Sequence, residues 1–148
     1  PSNTSTTEVL RRPLESAKDT GIEVTVRSAL HREGLRFMKH VKGLPGSPDI
    51  VFPKARVAVF VDGKFWHGYD FEAWKHKVPT YWQEKISRNI ERDERNFLAL
   101  REAEWRVLRV WEHEVKRELG LVVNRIKQAV REGLEEHHQG QREKSIHR

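Results

Sequence analysis

The stretch Asp49-Ile50-Val51-Phe52-Pro53-Lys54-Ala55-Arg56-Val57-Ala58-Val59-Phe60-Val61-Asp62 decides the fold. Two apolar runs flank a Pro-Lys-Ala turn. The second run is Val57 to Val61, with valine at 57, 59 and 61. Uninterrupted β-branched residues predict a strand covered on both faces. Two such runs joined tightly read as an antiparallel hairpin. Centred between Ala55 and Arg56, the hairpin sets Asp49 opposite Asp62, with Cβ atoms roughly 4.5–5.5 Å apart.

Upstream, Ile22, Val26, Ala29 and Leu30 recur at helical spacing, so Gly21 to Arg32 is expected to be a helix, capped by Asp19 or Thr20 and ended at Gly34. Leu35 to Val41 has strand character. Lys42 to Pro48 is a Gly/Pro loop. Downstream, Asp62 to Pro79 is a long aromatic loop, of a length more often functional than idle. Thr80 caps a helix to about Glu102 with the stripe Trp82, Ile86, Ile90, Phe97. Trp105 to Trp111 is a strand, and Val115 to Leu134 a helix. The order αβββαβα predicts an α/β domain, a central mixed sheet of about four strands flanked by helices. Residues 1–20 read as a flexible polar and basic arm, 21–134 as the domain, and 135–148 as a disordered polar tail.

The chain has 148 residues, enough for one domain with a real core. Lys and Arg number 28 against 22 Asp and Glu, a formal charge of +6 that favours an anionic partner, nucleic acid first. There is no Cys, which excludes disulfides, a thiol nucleophile and thiolate metal sites. No run of about 18 apolar residues is present, so no membrane span is expected. With no secretory leader, an intracellular location (cytoplasm or nucleoid) is expected.

Two carboxylates held as close as Asp49 and Asp62 repel unless a proton or cation separates them. A hard ion such as Mg²⁺ suits those oxygens. Both could equally be strand-end turn residues, and spacing alone does not choose. Asp93 continues the apolar stripe of the helix that starts at Thr80, where a carboxylate needs a partner. Glu23 precedes Val26 and Leu30 on the same face, either as a buried acid or as a boundary residue paired with Arg27 or Arg88. His67, five residues after Asp62, is a candidate base for a water. Asp62-Gly63-Lys64 after Pro48-Asp49 matches the PD…(D/E)xK pattern, in which a Lys near the metal stabilises developing charge. Phe65, Trp66 and Trp82 are candidates for stacking on bases or wedging between them. Arg11, Arg12, Lys18, Lys85 and Arg88 are candidate phosphate contacts.

These pieces lie within Asp19-Thr20, Leu44-Pro45-Gly46-Ser47-Pro48-Asp49, Phe60-Val61-Asp62-Gly63-Lys64-Phe65-Trp66-His67-Gly68, Lys77-Val78-Pro79, Trp82-Gln83-Glu84-Lys85-Ile86, Asn89-Ile90-Glu91-Arg92-Asp93 and Trp105-Arg106-Val107-Leu108. In that order they resemble the very-short-patch-repair (Vsr) DNA mismatch endonucleases. The resemblance implies a restriction-endonuclease-like fold of the PD-(D/E)xK superfamily and Mg²⁺-dependent nicking of one strand 5′ to the T of a T:G mismatch, with one or two ions. It implies Asp49 as the principal metal ligand with the Val61 carbonyl as a second, Asp62 at a catalytic position beside the metal that the pairing above lets it share, and His67 as general base. Glu23 and Asp93 would be supporting acids, and Phe65, Trp66 and Trp82 the aromatics beside the mismatch. The partner would be mismatched double-stranded DNA, with mismatch-repair proteins as possible associates and the chain a monomer. The family's structural zinc site is not expected, because Lys64 stands at its first Cys position and two thiolates are missing; packing by Trp74 and Tyr69 would hold the loop instead. The rivals are the cleavage domain of a homing or restriction endonuclease acting on paired DNA, and a DNA-binding module without chemistry.

Overall fold

The computed structural model describes residues 21–65 and 67–146. The arm at 1–20, with Arg11, Arg12, Lys18 and the cap at Asp19 or Thr20, lies outside them, as does Trp66. The elements are α1 (Gly21–Arg32), β1 (Met38–Lys39), β2 (Ile50–Phe52), β3 (Val57–Asp62), α2 (Phe71–Trp74), a 3₁₀ turn (Lys75–Lys77), α3 (Thr80–Glu102), β4 (Arg106–Trp111), α4 (Glu112–Arg117) and α5 (Leu119–Ile146). The sheet order is β1-β2-β3-β4, antiparallel except for the parallel pair β3–β4. This is the expected mixed four-stranded sheet between helices.

All six residues of β3 are buried, as the unbroken apolar run predicts. Val57, Val59 and Val61 pack with Val26 and Leu30 of α1 and Ile126 and Val130 of α5. Ala58 and Phe60 face Phe97 and Leu100 of α3 on the other side. Each fully buried Val, Leu, Ile or Phe contributes about 1.5–3 kcal/mol, so the two layers clamp β3 and fix where its polar end, Asp62, emerges.

The hairpin register departs from the expected one. Phe52 pairs with Val57 and Ile50 with Val59, which centres the turn one residue earlier; Asp49 lies just past this ladder, its amide donating to the Val59 carbonyl at 3.0 Å, and is not paired with Asp62. The cause is the turn: Pro53 to Arg56 forms a four-residue connection closed by the Arg56 amide on the Pro53 carbonyl at 3.2 Å, with Arg56 at φ 54. A two-residue shift keeps side-chain parity, so Asp62 stays on the Phe60 face.

Three further boundaries differ. The first strand shrinks to Met38–Lys39, because His40 takes φ 50 and bends the chain. Thr80 is the first helical residue of α3 and Pro79 its N-cap. The last helix is two helices, α4 and α5, and α5 runs on to Ile146, well past Leu134.

Candidate active site

Asp62 stands at the C-terminal end of β3 and Asp49 just before β2, so both reach the same end of the sheet. Open α/β folds place their ligand sites beyond the carboxyl ends of parallel strands. The two aspartates nevertheless fall in separate clusters. Glu23, His40 and Asp49 bring their ligand atoms within 4.8 Å of one another, and so do Asp62, His67 and Asp93. The expectation that Asp49 and Asp62 oppose each other across the hairpin fails with the register.

In the first cluster, α1 delivers Glu23, whose side chain is fully buried. Its Oε2 lies 2.9 Å from His40 Nε2 and accepts from Arg27 Nη1 at 3.3 Å. Asp49 Oδ2 accepts from the Val61 amide at 2.7 Å, so the carboxylate continues the strand ladder. Burial above all, then the Glu23 charge, pushes the Asp49 carboxyl from 3.8 up to about 8, against the opposing pull of the Val61 amide. Asp62 adds repulsion across the sheet end. An acid so placed wants a proton or a cation, and the oxygen donors of Asp49 and Glu23 fit a hard divalent ion.

In the second cluster, α3 delivers Asp93 and the loop after β3 delivers His67. His67 Nδ1 lies 2.7 Å from Asp93 Oδ2, and its Nε2 lies 3.5 Å from Asp62 Oδ1. Gly68 places this ring: it has φ 69, and a Cβ there would run into the Ile90 side chain of α3. Burial raises the Asp62 carboxyl, while His67 and then Arg109 pull it down.

Sequence reasoning did not single out His40 or Arg109. Arg109 Nε donates to Asp62 Oδ2 at 2.7 Å and Nη2 to Asp93 Oδ2 at 2.8 Å. A charged residue set among Val107, Leu108, Val110 and Trp111 was the available cue. For His40 there was none, since it follows a two-residue strand with no periodicity to break.

The remaining candidates lie outside both clusters. The Lys64 ammonium sits 5.5 Å from the Tyr69 ring centre, turned to an aromatic. Phe65, 40% exposed, stacks on Trp74 at 5.6 Å. The loop is held by packing: Trp74 Nε1 donates to the Tyr69 carbonyl at 2.8 Å, and the Tyr69 ring meets Trp111 at 5.0 Å and His113 at 4.5 Å. Trp82 is partly buried, with the Lys85 ammonium 5.5 Å from its ring centre, and Arg88 is exposed on the same helix.

A family model described as DNA mismatch endonuclease Vsr matches residues 7–73. The type II nicking enzyme V.XorIIP of Xanthomonas oryzae pv. oryzae is 44% identical over 115 residues, covering 75% of this chain and 82% of that protein. V.NmeDIP, a type II nicking enzyme of Neisseria meningitidis serogroup C, is 37% identical over 132 residues, 86% and 89% of the two chains. The DNA mismatch endonuclease Vsr of Escherichia coli K12 is 42% identical over 101 residues, 66% of this chain and 64% of that one. Nucleases of this family are metal-dependent, in keeping with the acid and imidazole clusters found here. The chain belongs to the Vsr family and is a DNA endonuclease.

Proposed function

We propose that this endonuclease nicks one strand of duplex DNA 5′ to the T of a T:G mismatch, with Mg²⁺ held at Asp49. Glu23 and the Val61 carbonyl are the proposed companion oxygens, and Asp62 borders them. The observation that carries the reading is the His67–Asp93 pair, at 2.7 Å, beside the Asp49–Glu23 acids. When bound, the ion supplies Lewis-acid stabilisation of charge on the phosphate and on the departing oxygen.

The protein's own part follows from the imidazole. Asp93 accepts at Nδ1 and so selects the tautomer with a free lone pair on Nε2. Nε2 takes a proton from the attacking water as its oxygen bonds to phosphorus and the opposite P–O bond breaks. The resulting imidazolium lies between Asp93 and Asp62, which stabilise its charge. Phe65, Trp66 and Trp82 are the proposed contacts at the mismatch, and Lys85 and Arg88 grip phosphates with Arg11, Arg12 and Lys18. Lys64, turned toward Tyr69, is proposed to act on the DNA backbone rather than on the metal.

The names of the relatives support a nicking activity; one is called a mismatch endonuclease and the others nicking enzymes. Strand-resolved mapping on T:G and fully paired duplexes, with Mg²⁺ or EDTA, tests the proposal. A single nick confined to the T strand of the mismatched duplex, abolished by EDTA, is expected. Preferred cutting of paired DNA would point to a restriction-type specificity instead.

A further inference from the structure

Helix α3 turns one face to the core, where Ile86, Asn89, Asp93, Phe97 and Leu100 are buried. Tyr81, Lys85, Arg88, Arg92 and Arg95 recur at steps of four, three, four and three, so they share a second face. Tyr81 is 57% exposed, and Arg88, Arg92 and Arg95 are exposed with it. The exposed acids Glu84, Glu91 and Glu94 fall on the adjoining face. A basic stripe and an acidic one thus run side by side along the helix. Glu84 and Glu91 stand four residues before Arg88 and Arg95, the order and spacing in which helical ion pairs form most readily. Such a pair closes in α4, where Lys116 meets Glu112 at 3.0 Å. Among the described residues none closes on the stripe of α3. The stripe begins beside the active site: the Lys85 ammonium lies 4.9 Å from the Tyr81 ring centre and 5.5 Å from that of Trp82, and Asp93 of the same helix holds His67.

We infer that this stripe is a phosphate-binding face, on which Arg92 and Arg95 carry on from Lys85 and Arg88 and lead the backbone of one flank of the duplex away from the cleaved bond. From Lys85 to Arg95 the helix rises about 15 Å, the axial length of about four nucleotides of one strand. Guanidinium groups suit phosphate oxygens because their N–H donors match them in pairs. The acidic row alongside repels the same backbone, so the flank is confined to one side of the helix. Contacts of this kind fix the register of the duplex and carry no base information. The inference rests on the proposed placement of the cleaved strand at Asp49 and His67, and not on a preference for mismatches.

The test is the salt dependence of DNA affinity, read by fluorescence anisotropy in EDTA so that the strands stay intact. The double variant Arg92→Gln, Arg95→Gln, with its fold checked by circular dichroism, is expected to flatten the slope of log affinity against log salt by about 2, close to one counterion for each lost phosphate contact. Binding to T:G and paired duplexes should weaken by the same factor. Arg92→Lys with Arg95→Lys, which keeps both charges, restores the slope, and Glu91→Gln with Glu94→Gln does not flatten it. Trimming the duplex on the flank that α3 follows removes the difference between wild type and the Gln variant, while trimming the other flank preserves it. A solvated face without DNA contact would leave the slope unchanged. An unchanged slope in the folded Gln variant overturns the inference, as does a difference that survives trimming on either side. Equal affinity and cutting of T:G and paired duplexes by wild type would overturn the proposed mismatch specificity instead, a separable result, because the slopes are compared on paired DNA as well.

Discussion

At the scale of single residues, the centre works by matching each buried acid to a cation or a proton. In the proposed mechanism His67, the imidazole of the second cluster, is the base, and its replacement would remove proton transfer without touching the Asp49 acids. His67→Ala should lower the nicking rate by about 10²–10⁴-fold with DNA affinity retained; single-turnover kinetics beside a binding titration checks this, and equal loss in both would contradict it. Asp49 makes a pH prediction. Its carboxyl is raised from 3.8 to about 8, so between those values the metal-free folded state holds a proton that the unfolded chain has lost. Stability therefore falls as pH climbs through that window. Melts in EDTA at pH 5 and pH 8 should show wild type losing more stability than Asp49→Asn, which has no proton to lose. A smaller loss in wild type would reverse the sign. Ion binding at pH 7 should also release a proton.

Asp93 was legible because it places a carboxylate on an otherwise apolar helix face, a cost that demands a partner; Glu23, fully buried in the structure, read equally as a boundary residue of its helix. Asp49, Asp62 and His67 were legible as candidates from their places around the hairpin, but not in their pairing. That pairing hangs on Arg56 adopting φ 54 in the turn, a conformation its residue type does not advertise. The direct opposition of Asp49 and Asp62 across the hairpin was thus misjudged, and the proposed metal site joins Asp49 to Glu23. Arg109 was missed because a charged residue looks ordinary in a strand at the sheet edge.

Among the elements, the loop after β3 and helix α5 show how packing sets function. Gly68 at φ 69 abuts Ile90, so Gly68→Ala must either strain the backbone or push the loop off α3. Nicking should fall with it, because His67 precedes it directly; unchanged activity would show that the loop position does not matter. Gly133 of α5 lies against the Ala55 carbonyl of the β2–β3 turn, and a Cβ there would collide with backbone. Gly133→Ala should destabilise by about 1–3 kcal/mol, despite the better helix propensity of Ala, as a chemical denaturation curve will show. The core strands were readable from their apolar runs. The reach of α5 was not, because beyond Leu134 the residues are polar and carry no stripe to count.

For the whole molecule, the mixed sheet holds both acid clusters at one end, and a net charge of +6 biases the surface toward a polyanion. No helix among the described residues is long and apolar enough to cross a membrane. DNA affinity should drop steeply between low and moderate salt as released counterions lose their entropic advantage; a flat salt dependence would argue against Lys and Arg contacts to phosphate. The most direct test of the hydrolytic centre is strand-resolved nicking of a T:G duplex in Mg²⁺ by wild type and Asp49→Ala at equal DNA occupancy. One nick by wild type and none by the variant is the predicted result, and equal cleavage by both would contradict it.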